Sequence, residues 1–275
     1  MHTRAPQLLA VGLLAVAATS AQAASLTFTI EAPGVTTSPL AQPGSGYTAQ
    51  VEGWQGLSSG YLAPGNTLNS TVGRYTQSAT GTGSTIPAAN IYGGATTNSG
   101  EQFLSNTQAG GALTWTGTGV TDGPYVGYFG FWWSAGDGNN DLLVTMQNGE
   151  QITFTTQTIM DSPALQGHPT GISGTVNGHY GNPTGNGLPY TNANEVYAFV
   201  NIYANNANNR IASITFSEPN SASGFESDNH TVVAAYIDND DHTGQDIPLP
   251  GTALLFGPGL ALLGWARARR SKART

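Results

Sequence analysis

The stretch Asp141–Thr158, DLLVTMQNGEQITFTTQT, decides the fold class. It reads as two short strands joined through Asn148-Gly149, a dipeptide suited to the positive φ angles of a tight hairpin turn. Outward from it, the same period-two grammar recurs. Ser25–Glu31, SLTFTIE, puts Leu26, Phe28 and Ile30 on one face and Thr27 and Thr29 on the other. Gly111–Gly117, GALTWTG, is a shorter version, and Tyr125–Ser134, YVGYFGFWWS, is so dense in aromatics that it predicts a strand covered on both faces. Glu195–Ala204 and Arg210–Glu218 read as a further strand pair across an Asn-rich turn, and Gly224–Ile237 as the strand that finishes the domain. No stretch of the body has a helical period of 3.6, so the sequence predicts an all-β, antiparallel β-sandwich. Leu57–Asn98 and Pro163–Pro189 are rich in Gly, Ser, Thr, Asn or Pro without clear alternation and read as long loops, the first with one or two short strands.

Composition narrows the function. The chain has 275 residues, 37 of them glycine, and no cysteine, which removes disulfides and thiolate metal sites. All sixteen acidic residues lie between Glu31 and Asp246, where Arg74 and Arg210 are the basic residues. So acidic a body repels phosphate backbones, which argues against nucleic acid as a partner. It suits an extracellular setting in which cations offset the charge.

The two ends specify export. Met1–Ala23 has Arg4, an apolar run at Leu8–Ala18 and the small-residue triplet Ala21-Gln22-Ala23. That is the three-part pattern of a secretory signal peptide, with Ala21 and Ala23 marking the cleavage point. At the other end about twenty residues from Ile247 onward are free of charge, the minimum for a membrane-spanning helix. Arg267, Arg269, Arg270, Lys272 and Arg274 follow, and such basic clusters stay cytoplasmic. The expected organisation is a signal peptide (1–23), a β-sandwich ectodomain (24–237), a polar linker (238–247) and a C-terminal segment (248–275).

The order of parts in that last segment resembles the PEP-CTERM protein-sorting signal. Pro248-Leu249-Pro250-Gly251, a short apolar helix and a terminal arginine cluster match its Pro-Leu-Pro variant, with Leu249 in place of the commoner glutamate. The resemblance implies a Gram-negative bacterium that makes exopolysaccharide, passage through the inner membrane, transient anchoring by the C-terminal transmembrane helix, and an exosortase-type enzyme as partner. An ordinary C-terminal anchor is the alternative. A second resemblance covers Asn90–Ala235: Ile91–Gly94 (IYGG), Tyr128–Trp133 (YFGFWW), the Asn-Gly hairpin and Phe225–Asn229 (FESDN) occur in that order. This is similar to a family of exosortase-dependent surface proteins with one jelly-roll-like ectodomain. It implies a cell-surface or matrix location and assigns no reaction.

Several constellations bear on chemistry. Asp137–Asp141, DGNND, has the oxygen spacing that opens a calcium loop, but Leu142 and Asn148 stand where an EF-hand requires glycine and glutamate, and we read it as a solvated hairpin turn. By analogy with jelly-roll carbohydrate-binding modules, Asp228 in FESDN would pair with Glu31 to hold a structural calcium; a surface Asp/Asn turn is the alternative. Trp54, Tyr61, Tyr92, Trp132 and Trp133 are candidates for stacking on sugar, with core packing as the default. His168, His179, His230 and His242 are isolated, and the chain has neither an H-E-x-x-H pair nor a G-x-S-x-G elbow. The sequence therefore points to a non-catalytic interaction module for glycan or exopolysaccharide. A secreted glycan-active enzyme and a structural matrix protein are the competing readings.

Overall fold

The computed structural model describes residues 25–55, 57, 61–81, 83–90, 92–95, 101–107, 111–156, 178–182, 191–218 and 224–247. These residues form two antiparallel sheets, with strands numbered in chain order. The larger contains β1 (Leu26–Ile30), β2 (Gln50–Glu52), β3 (Tyr61–Leu62), β6 (Ser84–Thr85), β7 (Leu104–Thr107), β9 (Tyr128–Gly136), β12 (Tyr180–Asn182), β13 (Thr191–Ala204), β15 (Gly224–Val233) and β16 (Gln245–Ile247). Its order is β16-β1-β13-β9-β15-β7-β6-β3, with β12 also on β13 and β2 also on β15. The smaller contains β4 (Thr67–Ser70), β5 (Gly73–Gln77), β8 (Ala112–Thr116), β10 (Asp141–Met146), β11 (Gln151–Thr155) and β14 (Ile211–Ser217), in the order β11-β10-β14-β8-β5-β4.

β9 is buried along its whole length, as its aromatic density predicts. Its inner face sends Phe129, Phe131 and Trp133 toward the smaller sheet. There Trp115 and Phe216 meet Phe129 and Phe131 with ring centroids 4.8 and 5.5 Å apart, while Trp133 stacks on Phe225 of its own sheet. At the opposite margin Phe28 of β1 stacks on Phe154 of β11 at 3.6 Å. Each such side chain contributes roughly 1.5–3 kcal/mol of burial free energy, so this aromatic layer holds the two sheets face to face. The hairpin forms where the sequence places it: β10 and β11 pair through a turn in which Gly149 has φ +87° and donates to the Met146 carbonyl.

The outer face of the larger sheet is covered as well. Tyr128 lies back along β9 over Gly130, where a Cβ would fall 2.0 Å from the tyrosine oxygen. Leu40, Tyr203, Val233 and Ile237 pack with Tyr128 at one end; Ala95, Ala135, Tyr197 and Phe199 pack with Trp132 at the other.

Three expectations are corrected. Glu195–Ala204 and Arg210–Glu218 supply β13 and β14, which belong to different sheets: β13 pairs with β1 and β9, β14 with β8 and β10. Both alternate or are continuously apolar, but neither property names a partner. Leu57–Asn98 holds four strands, β3 to β6, including β5 with a strict buried–exposed alternation centred on Tyr75. The expected linker 238–247 is folded onto the domain. His242 stacks on Tyr203 at 3.9 Å, and β16 pairs with β1 through Phe28–Ile247, Thr29–Asp246 and Ile30–Gln245. Among the described residues no helix is long and apolar enough to cross a membrane. The expected signal peptide with Ala21 and Ala23, the Pro248–Gly251 motif and the basic tail from Arg267 to Arg274 lie outside the described residues.

Candidate functional site

Three of the four motifs that carry the family resemblance converge on one end of the outer face. The register pairs Asp228 of β15 with Trp132 of β9, and Glu226 with Ser134. Direct cross-strand partners share a face, so these four side chains form a two-by-two patch. IYGG supplies the cover. The Asn90 side chain accepts from the backbone N–H groups of Tyr92 and Gly93, a local turn that an Asx residue makes with its own chain. Gly93 lies flat on Phe103, where a Cβ would come within 2.2 Å of the ring. Ala95 N–H then donates to Asp228 Oδ2 at 2.8 Å and fixes the turn to the sheet. The result presents Tyr92, 49 % exposed, above the patch. The Asn-Gly hairpin lies in the other sheet.

The patch is rich in carboxyl groups whose protons are held tightly. Burial pushes Asp228 up to about 7, against the two backbone N–H groups of Ala95 and Asn229 that its oxygens accept. Burial likewise raises Glu226 to about 8, opposed by the Ser105 hydroxyl and reinforced by the charges of Glu218 and Glu195. Glu195 rises to about 7, from burial and then from Asp137. Tyr197, which accepts from Asn192 Nδ2 at 3.1 Å, is also raised by burial. Two polar atoms sit beside these acids with no hydrogen-bond partner: Trp132 Nε1 and Ser134 Oγ, both on fully buried residues. A cluster of acids near neutrality in a desolvated patch is chemically unusual, and it makes this end of the sheet the candidate site. Among the described residues no three His, Asp or Glu side chains come together closely enough to hold a metal ion.

The expected calcium pair is corrected by the topology. Glu31 follows β1 and Asp228 lies on β15, with β13 and β9 between them. Three strand spacings separate them by about 14 Å, far beyond shared coordination. Each is satisfied otherwise. Glu31 Oε1 accepts from Asn201 Nδ2 at 2.8 Å and from the Thr243 hydroxyl at 2.5 Å. DGNND is a turn, as read, but it carries the chain from one sheet to the other rather than closing a hairpin. Its Asn140 is buried and accepts from Trp133 Nε1 while donating to Glu218 and the Gly224 carbonyl.

The aromatic candidates separate cleanly. Trp54, Trp132 and Trp133 are core residues, Tyr61 falls in β3, and Tyr92 reaches solvent. His230 has both ring nitrogens engaged, Tyr75 Oη at 2.6 Å on Nδ1 and Ser227 Oγ at 2.9 Å on Nε2. It is also enclosed by Trp54, Phe129, Phe131 and Phe216, and burial lowers it to about 3. This relay is a sealed, neutral element of the core. His179 and His242 are lowered by burial too, and His168 lies outside the described residues. A separate depression of about 250 Å³ at the far end of β15 is lined by Tyr47, Gln50, Asp122 and Val233 among others.

Sequence reading singled out Asp228, Trp132 and Tyr92 but missed Glu226, Ser134 and Glu195. The signal for Glu226 was present: Glu-x-Asp in a strand puts both carboxylates on one face. The chain matches no protein-family model, no curated protein and no solved structure in the comparisons made.

Proposed function

We propose that this is an exported, exosortase-sorted protein of the cell surface or extracellular matrix of a Gram-negative bacterium, and that its jelly-roll-like β-sandwich binds glycan without catalysis. Export and sorting are supported by the signal-peptide pattern and by the Pro-Leu-Pro, apolar and arginine segments of the tail. The observation that carries the binding reading is Tyr92. Its ring stands half-exposed on a turn whose backbone Asn90, Phe103 and Asp228 hold, so it offers an apolar face and a polar tip from a fixed point of the chain. Exopolysaccharide is the partner that the tail's resemblance supplies.

Retention of residues 25–247 on immobilised polysaccharides tests this. The wild-type domain should be retained and Tyr92→Ala should lose most of that retention with an unchanged melting temperature. Release of reducing sugar from the same panel would replace this reading with a glycan-active enzyme. Self-assembly with no retention by either form would replace it with a structural matrix protein.

A further inference from the structure

The segment just ahead of the sorting motif is anchored to the domain by more contacts than a spacer requires. Thr243 N–H donates to Tyr203 Oη at 3.1 Å, and the Thr243 hydroxyl donates to Glu31. The Thr29 hydroxyl donates to the Thr243 carbonyl, and the Tyr47 hydroxyl to Asp241. His242 stacks on Tyr203. Gly244, at φ +84°, passes so close to β1 that a Cβ would meet the Ile30 carbonyl oxygen at 2.6 Å. β16 then adds three residues to the outer edge of the larger sheet, and its last paired residue, Ile247, immediately precedes Pro248. Pro248 itself has no N–H to donate to a ladder.

A protease cleft takes its substrate as an extended strand on both sides of the bond it cuts. With Ile247 paired to Phe28, the residues on the amino side of Pro248–Gly251 are engaged by the domain itself. A three-residue edge strand with one neighbour is the kind of element that opens locally while the rest of a sheet stays closed. We infer that His242–Ile247 is a releasable strap, and that its detachment from β1 and Glu31 is what hands the Pro248–Gly251 motif to a membrane endopeptidase. Hydrolysis there adds water across one peptide bond, leaving a carboxylate on the domain and an amine on the tail. The strap then re-pairs with β1 as the new C-terminal strand. Glu31, first read as a cation ligand, is on this account the strap's anchor. The inference rests on the sorting reading above.

The chain's lack of cysteine makes the test clean. Thr29 and Asp246 are direct cross-strand partners, so the full-length double variant T29C/D246C can be locked by one disulfide. In the native host, wild type and T29C should lose the peptide 252–274, while the oxidised double variant keeps it until a reductant is added. Loss of the tail at equal rates from wild type and locked variant would overturn the strap. A second arm does not depend on the host enzyme: full chain in detergent is exposed to a proline-specific endoprotease. The oxidised variant should be cut at Pro248 or Pro250 at least about tenfold more slowly than the reduced one, because cutting follows local opening. Equal rates would again overturn the strap. Should the locked variant misfold, H242A/T243A, which only loosens the strap, should be cut faster than wild type, and an unchanged rate would count against it. A wild type that keeps its tail in the host refutes the sorting reading alone, since the endoprotease arm still decides the strap.

Discussion

Glu226→Gln should remove most of a loss of stability that the wild-type domain shows between pH 6.5 and 8, leaving the smaller part that Asp228 and Glu195 contribute near pH 7. Glu226 holds its proton up to about pH 8 in the folded state, against an ordinary glutamate value of 4.5. Between those values the folded protein binds a proton that the unfolded chain has released, so stability falls as pH rises, by about 1.4 kcal/mol per unit. Asp228 and Glu195, both raised to about 7, push the same way. His230, lowered to about 3, pushes the opposite way, since its folded state refuses a proton that the unfolded chain takes up below about 6.5. His179 and His242 are lowered as well. The histidines therefore work against the carboxyls below about pH 6.5, and above it they are neutral in both states. The 1.5 units from 6.5 to 8 then leave Glu226 contributing a loss of about 2 kcal/mol, an upper figure because its side chain keeps some contact with water. In a domain of this size that is a fall of roughly 4–8 °C in melting temperature. The glutamine has no charge to lose, can still accept from Ser105, and offers an amide hydrogen beside the unpartnered Ser134 hydroxyl. Urea melts of residues 25–247 at pH 6.5, 7.25 and 8 measure both slopes. Parallel slopes for wild type and variant would refute the assignment of the buried proton to Glu226.

Two further outcomes concern packing. Gly130→Ala places a methyl 2.0 Å from Tyr128 Oη, which donates to Asn201 at 2.7 Å and lies 2.8 Å from the Ser38 hydroxyl. Expelling that phenol should destabilise the domain by about 3 kcal/mol, and a urea midpoint equal to wild type would show that the outer face is looser than described. Ending the chain at Ile237, where the sequence places the domain boundary, removes the His242–Tyr203 stack, the Thr243–Glu31 bond and β16. It should melt well below a chain ending at Ile247, by roughly 2–4 kcal/mol, and equal melting would restore 238–247 to the status of a linker.

The fold class was legible because alternation and Asn-Gly are local signals. β1, β8, β9, β10, β11 and β15 coincide with stretches read as strands, and the turn at Gly149 is where its dipeptide requires it. Partnership was not legible, because a strand's pattern records how many of its faces are buried and not which neighbour covers them. β13 and β14 look like a hairpin across an Asn-rich turn, yet the first is buried on both faces inside the larger sheet and the second alternates in the smaller one. β4 and β5 were hidden for a related reason: only Tyr75 and a few neighbours mark the buried face, and glycine, serine and threonine around them read as loop.

The polar residues on the outer face are where sequence and structure diverge furthest, and the reason is physical. DNDDHTGQD has the composition of a solvated spacer, but its Thr243 meets Tyr203 and Glu31, which are 40 and 212 residues away in the chain. A hydroxyl or carboxyl in a polar run carries no mark that distinguishes a partner from water. The same holds for Glu31 and Asp228, which the analogy with jelly-roll carbohydrate-binding modules suggested as two halves of one cation site. Their registers put two strands between them, and each carboxyl is completed by different donors: Thr243 and Asn201 for one, the backbone of Ala95 and Asn229 for the other. Separating them changes the functional question. On our reading Asp228 belongs with Glu226 and Tyr92 at the end of the sheet that faces a ligand, and Glu31 belongs with the strap at the sheet edge formed by β16 and β1. If the domain binds and is sorted as proposed, the two tasks fall on opposite sides of one β13–β9 pair, so a change at Tyr92 should leave processing of the tail untouched, and a locked strap should leave glycan retention untouched.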